Sequence, residues 1–123
     1  MSNNKKILII DDHDSIRIIL GSVLKKTYNV ITKKDGIEAL AWFRKGNIPD
    51  LILLDMLMPR LNGIAFLRNI RSSGFFKDIP VLVVSGKENT KYIDQCNALG
   101  VDGYLTKPFN PQDLQEKIGN ILT

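Results

Sequence analysis

Short apolar runs alternate with amphipathic stretches all along this chain, and that alternation leaves few folds open. Lys6-Ile-Leu-Ile-Ile10 and Asp50-Leu-Ile-Leu-Leu-Asp55 are apolar at every interior position, the pattern of strands buried on both faces. Tyr28 to Lys33 is a weaker strand because Asn29 and Thr32 interrupt it. Pro80 to Ser85 reads as a fourth strand, with proline tolerated at its first position, and Val101 to Thr106 as a short fifth.

Between the runs the period changes. Ile16, Ile19, Leu20, Val23 and Leu24 make a helical stripe, with Asp14 or Ser15 as N-cap. Gly36 to Lys45 predicts a second helix with Leu40 and Phe43 inward, ended by the turn Gly46-Asn47-Ile48-Pro49. Gly63, Phe66, Leu67 and Ile70 mark a third. Thr90 to Leu99 predicts a fourth, closed by Gly100. Asn110 caps a last helix with Leu114, Ile118, Ile121 and Leu122 inward. The expected architecture is α/β: a doubly wound, five-stranded parallel sheet in the flavodoxin-like order 2-1-3-4-5, with helices on both faces.

At 123 residues the chain fits one domain spanning 1–123, large enough to hold together without disulfides or metals. The apolar run after the basic N-terminus, Ile7 to Ile10, is shorter than the roughly 7–15 residues of a secretory signal. No stretch nears the ~20 apolar residues of a membrane span, so no membrane insertion is expected. Cys96 is the only cysteine and cannot form an intrachain disulfide, which points to a reducing cytoplasm. The net charge is +4, but Lys25, Lys26, Arg44 and Lys45 fall at predicted helix C-termini, where cations complement the dipole. A solvated basic surface is therefore expected, with no direct contact to nucleic acid.

In such a sheet ligands bind beyond the C-terminal strand ends. Strand 1 ends in Asp11 and Asp12, strand 3 in Asp55, strand 4 in Ser85, and strand 5 in Thr106, followed by Lys107 and Pro108. Singly each is ordinary: an aspartate there is commonly a turn or cap residue, a serine a cap, a lysine an exposed charge. Jointly they converge. Carboxylates crowded together resist full ionisation, and a hard dication such as Mg²⁺ relieves that conflict. A metal, an ammonium and a hydroxyl donor are the parts needed to hold a phosphoryl group, with Asp55 as nucleophile.

The chain resembles the response-regulator receiver domain of two-component signalling over essentially its whole length. The resemblance rests on Asp11-Asp12, Asp55-Met-Leu-Met-Pro59 followed by Gly63, Ser85, and Tyr104-Leu-Thr-Lys107-Pro108-Phe109. It implies that Asp55 accepts a phosphoryl group from a phosphohistidine of a sensor histidine kinase or histidine phosphotransfer protein. It further implies that Asp12, Asp55 and the Leu57 carbonyl ligate Mg²⁺, with Asp11 acting through a bound water. Lys107 would pair with a phosphoryl oxygen, and Ser85 would turn inward to donate to another. Tyr104 would be the aromatic switch, altering the face of helix 4, strand 5 and helix 5 toward a downstream protein. A cis Lys107–Pro108 bond and a monomer or weak phosphorylation-dependent dimer are also implied. The catalysis would be limited to self-directed phosphotransfer and autodephosphorylation.

Three positions depart from the commonest pattern: Gly86 follows Ser85 in place of alanine, Leu57 is apolar, and Lys87 is long and basic. Apolar Leu57 is expected to slow self-dephosphorylation. His13 is read as a loop residue and not a ligand, because Mg²⁺ prefers oxygen. Trp42 is read as partly exposed and Cys96 as buried toward the sheet. A haloacid-dehalogenase-type phosphatase also uses a strand-end aspartate, but it would need an acid where Leu57 stands. A flavodoxin-like nucleotide binder would want a Gly/Ser/Thr-rich loop where Asp11-Asp12-His13-Asp14 stands. The last helix runs to Thr123 without a linker or basic helix after it. A free-standing adaptor or phosphorelay intermediate is expected, the alternative being the receiver piece of a longer regulator.

Overall fold

A computed structural model describes residues 4–58, 60–86 and 91–123. Pro59, Lys87 and Thr90, which carried expectations above, lie outside the described residues. The elements alternate without exception: β1 (Lys6–Ile10), α1 (Asp14–Leu24), β2 (Asn29–Lys33), α2 (Gly36–Arg44), β3 (Leu51–Leu54), α3 (Gly63–Arg71), β4 (Val81–Gly86), α4 (Ile93–Ala98), β5 (Gly103–Lys107) and α5 (Pro111–Leu122). All pairings are parallel and the strand order is β2-β1-β3-β4-β5, as expected.

Successive strand side chains point to opposite faces, so continuously apolar strands feed two cores. Leu8, Ile10, Ile52, Leu54, Val81 and Val83 pack under Phe43 of α2, Phe66 and Ile70 of α3, and Cys96 of α4. Ile7, Ile9, Leu51, Leu53, Leu82 and Val84 pack under Leu20 and Leu24 of α1 and Leu114 and Ile118 of α5. Each fully buried side chain of this size contributes on the order of 1.5–3 kcal/mol. Trp42 is half-buried and Cys96 fully buried, as expected; burial pushes the Cys96 thiol up, away from its reactive thiolate form.

Several expectations are corrected. His13, not Asp14 or Ser15, is the N-cap of α1, and its side chain makes no cap bond, being turned to the acidic residues before it. Ile19 is 49% exposed because it lies at the margin of the stripe, whereas the row Ile16, Leu20, Leu24 faces the sheet. Lys25 and Lys45 do occupy the C-caps of α1 and α2, with Arg44 in the last turn of α2, as expected. α4 is six residues long, entered through a 3₁₀ turn at Lys91 and Tyr92, because its polar sequence buries only Cys96. Gly100 closes it at φ 77°, a conformation glycine adopts freely.

Candidate functional site at the strand ends

Register brings the polar strand ends together. Ile10 of β1 pairs with Leu54 of β3, and the Asp55 amide donates to the Ile10 carbonyl at 3.0 Å, so Asp11 and Asp55 emerge side by side. On the other side Ser85 pairs with Thr106 and Gly86 with Lys107. Residues 96 apart in sequence thereby meet: the Lys107 ammonium donates to Asp11 Oδ2 at 2.8 Å and lies 3.9 Å from Asp55 Oδ1. The Lys107–Pro108 peptide is cis, as the resemblance implied.

The loop after β3 folds back sharply. The Gly63 amide donates to the Met56 carbonyl at 2.9 Å, and a Cβ at Gly63 would lie 2.6 Å from the Asp55 carbonyl oxygen, so only glycine fits. Met56 and Met58 turn into the core while Leu57 stays 46% exposed at the mouth of the site. Asn62 caps α3 by accepting from the Ala65 amide, and Arg60, at φ 67°, reaches back to Asp35 with two bonds of 2.9 and 2.6 Å. Asp35 also caps α2 through the Glu38 amide. Burial works to raise the Asp35 pKa, but the Glu38 amide and the Arg60 guanidinium outweigh it and hold the carboxyl below the usual range.

Asp55 is 3% exposed. Burial, with the Asp11 carboxylate beside it, pushes its pKa up to about 6, against the opposing pull of Lys107 and Ser85. The Ser85 hydroxyl is fully buried and donates to Asp55 Oδ1 at 3.2 Å, so it already faces the aspartate. A buried hydroxyl and a buried carboxylate satisfy each other there. Tyr104 lies on β5 opposite Val83 and packs, half-buried, against the core beneath α2, α3 and α4.

Both Asp11 oxygens are engaged, one by Lys107, the other by the His13 amide at 2.9 Å. Among the described residues, Asp12 Oδ1 and Asp55 Oδ2 are buried and accept no hydrogen bond, though His13 Nδ1 lies 3.3 Å from Asp12 Oδ1. Buried charged oxygens without partners are costly, and oxygens of this kind fit a hard divalent cation. Asp11, Asp12, His13 and Asp55 each offer a ligand atom within 4.8 Å of the others. A cleft of about 710 Å³ opens over this cluster, lined also by Leu57, Gly86, Lys107 and Pro108.

The residues singled out from the sequence, Asp11, Asp12, Asp55, Leu57, Ser85 and Lys107, thus share one place, and Tyr104 stands apart on β5. Sequence reasoning missed Arg17, which donates to the Asp11 carbonyl at 2.6 Å and also pairs with Asp14, and it missed the Arg60–Asp35 contact. The i,i+3 spacing of Asp14 and Arg17 was a usable signal; nothing in the sequence joined Arg60 to Asp35.

Residues 7–119 match the family described as the response regulator receiver domain. The chain belongs to that family. As a receiver of two-component signalling it has relatives of two sizes. Chemotaxis protein CheY-3 of Vibrio cholerae is 35% identical over 123 residues, covering 98% of this receiver and 94% of that protein. The alkaline phosphatase synthesis transcriptional regulatory protein PhoP of Bacillus subtilis is 38% identical over 120 residues, covering 97% of the receiver but 49% of PhoP. The solved chemotaxis response regulator CheY4 of Vibrio cholerae has a TM-score of 0.88 and 33% identity, covering 98% of this receiver and 100% of that chain. No helix among the described residues is long and apolar enough to cross a membrane.

Proposed function

We propose that this receiver accepts a phosphoryl group on Asp55 from a phosphohistidine of a sensor histidine kinase or histidine phosphotransfer protein. One observation carries the reading: a buried carboxylate keeps an unpartnered oxygen, Oδ2, under an open cleft, with an ammonium and a hydroxyl beside its other oxygen. A lone pair of the Asp55 carboxylate attacks phosphorus, the phosphorus–nitrogen bond breaks, and its electron pair returns to the donor imidazole. Lys107 offsets charge on the phosphoryl oxygens, and Ser85 exchanges its bond to Asp55 for one to the phosphoryl group. Asp12, Asp55 and the Leu57 carbonyl are the ligands assigned to Mg²⁺, with Asp11 acting through water; the two orphaned oxygens and the two engaged Asp11 oxygens support that division. Bound there, Mg²⁺ would supply charge neutralisation to the transferring group.

Losing the Ser85 bond favours a state in which Tyr104 repositions, and the α4–β5–α5 face then presents a changed surface to a downstream protein. A phosphatase of the haloacid-dehalogenase type gains no support, since Leu57 offers no acid. The match to only half of PhoP favours a second reading, in which the chain is the receiver piece of a longer regulator. Sequencing a transcript that continues into an output domain would establish that reading over the free-standing one.

Incubation with acetyl phosphate and Mg²⁺, followed by intact mass, tests the central assignment. One added phosphoryl group is expected in the parent and none in Asp55→Ala. No gain in the parent, or an equal gain in the variant, overturns it.

A further inference from the structure

His13 is the chain's single histidine, and the proposed function gives it no task. Its Nδ1 lies 3.0 Å from Asp11 Oδ1 and 3.3 Å from Asp12 Oδ1, in the same cluster as Asp55. Nitrogen and oxygen ligands bound to one dication at the usual bond lengths sit about 3.0–3.4 Å apart along an edge of its coordination shell. The imidazole is thus spaced as a ligand to an ion shared with Asp12.

A competing account makes the imidazole a hydrogen-bond donor to Asp11. Each Asp11 oxygen already has one donor, the His13 backbone amide at Oδ1 and the Lys107 ammonium at Oδ2. Among the described residues neither Asp12 Oδ1 nor Asp55 Oδ2 accepts a hydrogen bond, the latter on a side chain that is 3% exposed. Those two unpartnered oxygens point to an ion independently of the clustering of carboxylates. Nδ1 stands beside them, and the ring is open to solvent, its side chain 60% exposed, so Nε2 can keep the proton while Nδ1 presents its lone pair.

We propose that His13 supplies a nitrogen ligand to this site, so that it takes a transition-metal dication such as Zn²⁺ through a contact that Mg²⁺ does not use. The inference rests on the metal-binding reading of the same carboxylates. Mg²⁺ takes oxygen donors and keeps its waters, whereas imidazole suits the borderline metals. The same pocket would then discriminate between ions by how far each engages one side chain.

Because there is one histidine, its ring nitrogens can be followed alone by nitrogen-edited NMR on untagged full-length protein, alongside calorimetric titration with Zn²⁺ and, separately, Mg²⁺. The Nδ1 resonance is expected to shift with Zn²⁺ in step with the calorimetric isotherm and to stay in place at saturating Mg²⁺. His13→Ala should weaken Zn²⁺ about tenfold or more, the scale of losing a metal-site contact, while Mg²⁺ affinity stays within about twofold. An unmoved Nδ1 at Zn²⁺ saturation, or equal weakening of both metals, overturns the His13 assignment and leaves the carboxylate site standing. A parent protein that binds neither metal overturns both. Asp12→Asn separates further: it should weaken both ions, and retention of Mg²⁺ affinity there would count against the carboxylate assignment alone.

Discussion

Leu57 stands half-exposed at the mouth of the cleft, one residue past a methionine that is fully buried. An apolar side chain there can neither orient nor polarise water approaching an acyl phosphate on Asp55. Leu57→Asn supplies an amide at the same place, and one added hydrogen bond worth about 1 kcal/mol shortens the lifetime about fivefold. Following decay of the phosphorylated protein by intact mass checks this; an equal or longer lifetime in the variant defeats it. The strand-end residues around it were legible because each follows an apolar run whose polarity changes abruptly, which fixes the residue at the sheet's C-terminal rim. The partners of His13, Arg17 and Arg60 were not, since they depend on loop dihedrals and rotamers that no periodicity encodes. The direction of the Ser85 hydroxyl was not legible either, since it follows from sharing a buried site with Asp55.

At the scale of elements, α3 holds its neighbours through one side chain. Arg71, in its last turn, donates to the Leu99 and Gly100 carbonyls just past α4 and to those of Lys77 and Ile79 ahead of β4. Arg71→Met keeps much of the apolar stem but leaves these carbonyls without their donor, at a cost of about 2–3 kcal/mol. Urea denaturation should register the loss, and amide exchange should quicken around α4; a change below about 0.5 kcal/mol would refute the role. Strong helices were legible from their stripes, α3 through Phe66, Leu67 and Ile70 and α5 through Leu114 and Ile118. α4 was overextended, because Ile93–Ala98 has little apolar periodicity and its position depends on contacts with α3 and the sheet.

For the whole molecule, both cores followed from continuously apolar strands, which permit little besides a sheet covered on two sides, and the strand order was expected from alternating elements joined by right-handed crossovers. The same burial makes global stability depend on pH. Asp55 ionises near pH 6 when folded, against an ordinary value near 3.8, so the folded state holds that proton more tightly than the unfolded one. Without divalent metal, stability from this group is greatest below pH 4 and falls by about 3 kcal/mol as pH rises through 6. Asp35 acts with the opposite sign in a lower window, its contribution being lost as pH falls through its depressed folded value. Urea midpoints in EDTA should therefore decline from pH 4 to 7 in the parent and stay flatter in Asp55→Asn; parallel profiles would contradict the assignment. The pairing of β5 has a consequence for biosynthesis. That strand joins the sheet only through β4, and it delivers Lys107 to an acidic pair that lies far earlier in the chain. A nascent chain that has completed β1 through β4 already carries the aspartates but not the cation that balances them. Under the proposed function, such a chain would gain the charge that balances its acceptor site only when its fifth strand docks.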